Sequence, residues 1–231
     1  MAKSNELQIV KQCVELFSSF RVLLFLLSFW IVYQWKGIFM NQSKQLVRLI
    51  EIAIMTAAAV ILDIVSGMFL RMPQGGSVSI MMIPIFLISF RWGVKAGLTT
   101  GLLTGLVQIA IGNLFAQHPI QLLLDYIVAF AAIGISGCFA SSVRKAAVSK
   151  TKGKLIISVV SAVFIGSFLR YAAHVISGAV FFGSYAPKGT PVWIYSLTYN
   201  ATYMVPSFII CGIVLCLLFM TAPRLLKTDK V

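Results

Sequence analysis

Apolar residues run through this chain in long blocks rather than in alternation. Residues 46–70 (LVRLIEIAIMTAAAVILDIVSGMFL) form the first, and residues 94–116, 119–142, 155–182 and 192–220 form four more. Each is long enough to cross the hydrocarbon core of a bilayer, which takes about 20 helical residues. A further block, residues 77–90 (SVSIMMIPIFLISF), is shorter and contains Pro84. As a helix it reaches only about 21 Å, so it is expected to be kinked or tucked among its neighbours. Gly97, Gly101 and Gly105 stand four apart in the third block, a stripe that lets helix backbones approach closely. The pattern predicts an all-α integral membrane protein, a six-transmembrane-helix bundle over residues 40–231.

The first 39 residues fit this plan less well. Residues 16–35 are apolar but broken by Arg21, and no small-residue cleavage site follows, so the segment is a poor secretory signal. Three readings stay open for residues 1–39: an additional helix, an interfacial helix, or translated sequence upstream of a natural start at Met40.

Charge sets the expected orientation. Nineteen Lys and Arg stand against six Asp and Glu, for a net charge of +13. In a chain that is 59% apolar this excess reads as membrane topology, with basic loops on the cytoplasmic side, and not as nucleic-acid binding. If the first span starts in the cytoplasm, twelve basic residues lie inside, from Lys44 and Arg48 to Lys227 and Lys230, against Arg71 and Lys188 outside. Both ends of the six-helix domain are then cytoplasmic, in the cell membrane. Cys13, Cys138, Cys211 and Cys216 have no CxxC spacing and read as small buried hydrophobes.

Enzymatic and energy-coupling motifs are missing. The chain has no GxxxxGK[ST] phosphate loop, no HExxH and no GxSxG elbow. No metal or organic cofactor is expected. What remains is a set of polar residues inside apolar helices, which default to site candidates because burying them in a membrane is costly. Asp125 and Tyr126 follow HPIQLLL on the fourth span; a helix-start carboxylate steadied by the helix dipole is the bland alternative. Arg170 and His174, four apart, share a helical face that Gly178 and Phe182 continue. An ion pair of Arg170 with Asp125 or Asp63, and an interhelical hydrogen bond of His174, are their structural alternatives. Tyr195 and Asn200 lie on the last span, five apart, and can face one site only near its outer end or where it is distorted. Tyr185, Trp193, Tyr195, Tyr199 and Tyr203 could also be an interfacial aromatic belt. A carboxylate, a His, rings and an amide near the outer face suit a small, flat, hydrophilic cation held partly by cation–π contact. Using Asp63, Asp125 and His174, a membrane-embedded enzyme is the reading from another class.

From Met40 onward the chain resembles the thiamine-specific S components (the ThiT family) of energy-coupling factor (ECF) transporters. The carriers, in order, are AIMTAAA, IPIFLISFRWGVKAG, QLLLDYIVAF, RYAAHVISGAVFF and YSLTYN. The resemblance implies a six-helix S component that captures thiamine from outside and is coupled to a transmembrane T component and two ATPase subunits, agreeing with the missing phosphate loop. It implies thiamine contacts at Asp125, Tyr126, Arg170, His174, Phe182, Tyr195 and Asn200. It also implies a T-component contact at Ala53 and Ala57, for which ordinary helix packing is the alternative. The chain departs from the family in having Asp125 for the usual Glu, Arg170 for the common Lys and Phe182 for Trp. It also lacks a first-loop Trp in LRMPQGGSVSI and carries the additional first 39 residues. The departures keep open an S component for another vitamin or a thiamine precursor. The Gly-rich loop Arg71–Ser79 is the candidate lid.

Overall fold

The computed structural model describes residues 44–112, 116, 118–149 and 151–227. The described residues from Arg48 onward form one compact unit, the helical bundle. The expectations for residues 1–39 lie outside the described residues.

Among the described residues six main helices follow one another: α1 (Lys44–Phe69), α2 (Met82–Trp92), α3 (Val94–Ile111), α4 (Pro119–Val148), α5 (Lys152–Phe181) and α6 (Val192–Thr221). A short 3-10 turn, Pro223–Leu226, ends the described chain. All but α2 are long and apolar enough to cross a membrane, so this is a multi-pass membrane protein. Large apolar side chains such as Ile61, Ile157, Val180 and Ile213 remain more than half exposed, the surface expected where lipid replaces water.

The short block resolves as the tucked alternative. The helical part of 77–90 is delayed to Met82, and Pro84 lies in its first turn, where a missing N–H costs nothing. Met82, Ile85, Phe86, Ile88 and Phe90 have no exposed surface. Phe90 stacks along its own helix on Phe86 and meets Phe219 of α6 edge-on, at centroid distances of 6.1 and 5.9 Å. Thus α2 is a short core strut wrapped by protein.

The glycine stripe of α3 faces α4. A Cβ at Gly101 would collide with the Phe130 carbonyl, one at Gly105 with the Tyr126 carbonyl, and one at Gly97 with the Ser89 hydroxyl and Gly134. Backbone therefore meets backbone along the α3–α4 seam. The helix ends earlier than the apolar block suggests, because Gly112 takes a left-handed conformation (φ 75°) that closes it after Ile111.

At the end where α1 begins, charges tie the elements together. Arg91 donates to both Glu51 oxygens, at 2.7 and 2.9 Å, and also to the Leu225 carbonyl; Trp92 Nε1 donates to Glu51 at 2.5 Å, and Arg144 donates to the Arg91 carbonyl. Arg48, Lys95, Lys145, Lys152, Lys154 and Arg224 lie at the same ends of their helices. The opposite end carries the loops 70–81 and 182–191. Cys211 and Cys216 are buried as expected, whereas Cys138 is exposed: it lies in a 3-10 stretch of α4 whose buried positions are Gly134, Ser136 and Gly137.

Candidate functional site

At the loop end, α1, α4, α5 and α6 surround a cavity of about 440 Å³, within the roughly 300–1,000 Å³ range of small-molecule sites. All seven residues singled out from the sequence line it: Asp125, Tyr126, Arg170, His174, Phe182, Tyr195 and Asn200.

Asp125 does not cap a helix start. It lies in a π-helical stretch of α4, Leu123–Val128, where the Ala129 N–H reaches back five residues to the Leu124 carbonyl. Its two oxygens are held from α5, Oδ1 at 2.9 Å from His174 Nδ1 and Oδ2 accepting from Ser177 Oγ at 2.7 Å. On the far side of the imidazole, Arg170 Nε donates to His174 Nε2 at 3.3 Å. Nε2 is then the acceptor and Nδ1 carries the proton shared with Asp125. Both structural alternatives are thereby resolved. His174 makes the interhelical bond, and Arg170 reaches Asp125 through the imidazole instead of pairing with it directly. The Arg170 guanidinium also lies over the Phe130 ring, 4.8 Å from its centroid.

On α6 the cavity face runs Tyr195, Ser196, Tyr199, Asn200, Tyr203, the i, i+4, i+8 stripe of one helix face and its neighbouring row. Tyr195 and Asn200 thus border one face, near the outer end of the helix. Asn200 Nδ2 donates to the Ser196 and His174 carbonyls, at 2.8 and 3.4 Å, and Asn200 Oδ1 accepts from the Tyr203 hydroxyl. Tyr203 is 3% exposed and belongs to the core, not to an aromatic belt; Trp193, 55% exposed, has the exposure of one. Gly178 lines the cavity too, but its open side is filled: a Cβ there would strike the Ser196 hydroxyl. This glycine brings α5 against α6.

The loop after α1 completes the wall with Arg71, Gln74, Gly75, Gly76 and Ser77. It folds back on itself, with Met72 N donating to the Gly76 carbonyl at 2.9 Å and Val78 N to the Leu70 carbonyl at 3.2 Å. One α6 side chain pins it. The Tyr199 hydroxyl donates to the Gly75 carbonyl and accepts from Gln74 N, both at 2.9 Å. Gly76 (φ 86°) lies flat on the Tyr203 ring, leaving no room for a Cβ.

Sequence reasoning missed Ser177, Phe130 and the roles of Tyr199 and Tyr203. The four-residue spacing of Tyr195, Tyr199 and Tyr203 was the available signal for the last two. Among the described residues no group of three or more His, Cys, Asp or Glu is placed to hold a metal.

A multi-pass helical bundle with a polar and aromatic cavity under a folded loop defines a small-molecule-binding membrane protein. Its lineage is specific: the chain belongs to the thiamine transporter protein family (Thia_YuaJ), whose profile matches residues 49–227. It is 96% identical over 191 residues to the thiamine transporter ThiT of Bacillus subtilis strain 168, which covers 83% of this chain and all of that protein. It is 34% identical over 194 residues to the thiamine transporter ThiT of Lacticaseibacillus paracasei, covering 80% of this chain and 93% of that one. A solved structure of ThiT from Listeria monocytogenes superposes with a TM-score of 0.75 at 32% identity, over 80% of this chain and 99% of its own. The chain is thus a member of a transporter family and not an enzyme, and the membrane-enzyme reading falls.

Proposed function

We propose that this protein is the thiamine-capturing S component of an ECF-type transporter. It would take thiamine from outside the cell into the cavity for ATP-driven uptake by a T component and two ATPase subunits. The observation that carries this reading is the cavity itself. A buried arginine, a histidine fixed in one tautomer, two carboxylates and several rings converge in a space sized for a vitamin. Thiamine is flat, polar at its aminopyrimidine and cationic at its thiazolium, which suits rings flanked by carboxylates. The excess of basic residues at the other end supports an outward-facing cavity.

The polar network works by preorganisation. Asp125, His174 and Arg170 hold one another across α4 and α5, and Asn200 holds the α5 and α6 backbones, so little ordering remains to be done on binding. Groups left with capacity toward a ligand include the Tyr195 hydroxyl, the terminal nitrogens of Arg170, the second lone pair of Asn200 Oδ1 and the ring faces. Isothermal titration calorimetry of the purified protein with thiamine, its isolated pyrimidine moiety and riboflavin tests the reading. Tight binding of thiamine alone supports it, selective binding of the pyrimidine identifies a precursor transporter, and no heat with any form of thiamine overturns it.

The loop Arg71–Ser79 would act as the lid. Tyr199→Phe removes both lid hydrogen bonds and keeps the ring. With each bond contributing about 1 kcal/mol, thiamine release should accelerate roughly tenfold or more, with association little changed. Stopped-flow displacement of bound thiamine measures this; an unaltered release rate would show that Tyr199 does not latch the lid.

A further inference from the structure

A second carboxylate faces the cavity, and the contacts proposed so far give it no part. Asp63 lies in the later half of α1, within the otherwise apolar stretch VILDIV. It lines the cavity beside Ile64, Gly67, Met68 and Ile111. Its Oδ2 accepts from the Gln108 side-chain amide at 2.7 Å, and Gln108, on α3, is itself only 1% exposed. Oδ1 has no hydrogen-bond partner among the described residues, and none of their Lys, Arg or His nitrogens lies within ion-pairing distance of Asp63. Arg170, for which the sequence left an ion pair with Asp125 or Asp63 as an alternative, is turned to His174 and Phe130.

The two carboxylates therefore differ in kind. Asp125 has both oxygens engaged by α5 and serves the architecture of the wall. Asp63 has one oxygen anchored by a buried amide, while the other has no hydrogen-bond partner among the described residues; Ile64, Met68 and Ile111 line the cavity with it, as does Arg71, and apolar neighbours screen charge weakly. An ionised carboxylate within a membrane helix is costly unless a cation meets it, and the cavity is where that cation can arrive.

We infer that Asp63, positioned by Gln108, is the counter-ion for the cationic end of the ligand and sets the preference for a cation over a neutral molecule of the same shape. The inference rests on the thiamine reading and names the residue that recognises its charge. The test compares thiamine with 3-deazathiamine, a neutral isostere in which carbon replaces the positive thiazolium nitrogen. Binding of both is measured by calorimetry to wild type, Asp63→Asn and Gln108→Leu.

Wild type should prefer thiamine. Asp63→Asn keeps the size of the side chain and an acceptor for Gln108, and should weaken thiamine about 10- to 100-fold while leaving the isostere unchanged, so that the preference collapses. Gln108→Leu frees the carboxylate from its anchor and should lower the preference in part. If Asp63→Asn does not yield folded protein, Asp63→Ser carries the same comparison. Equal losses for both ligands would make Asp63 a structural residue, and an unchanged preference would make it a neutral hydrogen-bonding group. Either result overturns the inference, as does a wild type that does not distinguish the two ligands. A wild type that binds neither overturns the thiamine reading itself.

Discussion

Asp125→Ala is expected to abolish most thiamine binding, raising the dissociation constant by at least about thirtyfold. The reason is the position of Asp125 as a joint more than direct contact with ligand. Its carboxylate receives His174 Nδ1 and Ser177 Oγ, 49 and 52 residues away in sequence. Without it, the imidazole loses the bond that fixes its tautomer and Arg170 loses the orientation that His174 gives it. Removing one partner from a buried, hydrogen-bonded charged group commonly costs about 2–5 kcal/mol, well over a hundredfold at the upper end. Asp125→Asn, which retains an acceptor for the imidazole, should fall between the alanine variant and wild type. Calorimetry on all three decides the matter, and an affinity within about a factor of two of wild type in Asp125→Ala would remove Asp125 from the site.

Ala53→Trp should separate binding from transport. In α1, Leu49, Ala53, Ala57 and Ile61 follow one another four residues apart and all four are exposed, the two large ones 57% and 58%. The alternative of packing within the bundle therefore does not apply to Ala53 and Ala57, whose small side chains leave a shallow notch between larger ones. Close helix contact through small residues is how membrane helices associate without a hydrophobic drive. A tryptophan at Ala53 fills the notch from outside, so stability should change by no more than about 0.5 kcal/mol and thiamine binding by purified protein should persist. Uptake of labelled thiamine by cells carrying the complete transporter should be lost. Normal uptake would place the T-component contact elsewhere.

The spans were legible because length and apolarity are nearly sufficient to define a membrane helix. The fate of residues 77–90 was half legible for the converse reason: short and interrupted by Pro84, the block had to be kinked or tucked among its neighbours, and burial decides for the second. The seven candidate residues converge because buried polar groups in such helices have few places to go. Three features were hidden. The π stretch around Asp125 has no signature in LLDYIV; it lies where the Tyr126 carbonyl comes against Gly105 of α3, a contact between segments distant in sequence. The saturation of Asp125 depends on partners from a distant helix. Tyr203 shares its spacing with an aromatic belt, and only burial separates the two.

The non-helical lead into α2 bears on how this protein can be made. Ser79 is 2% exposed, its backbone N–H donates to Ser207 Oγ at 3.0 Å, and its carbonyl faces Cys211 Sγ. Those partners are supplied by α6, which leaves the ribosome 128 or more residues later. Irregular backbone is tolerated at membrane depth only when protein covers it. Until the final helix arrives, then, residues 77–92 have no finished environment, and a nascent chain halted before α6 holds its central strut in an interior that does not yet exist. Closure of this bundle belongs to the end of translation, and lesions in α6 should be read first as failures of biogenesis and only then as failures of recognition.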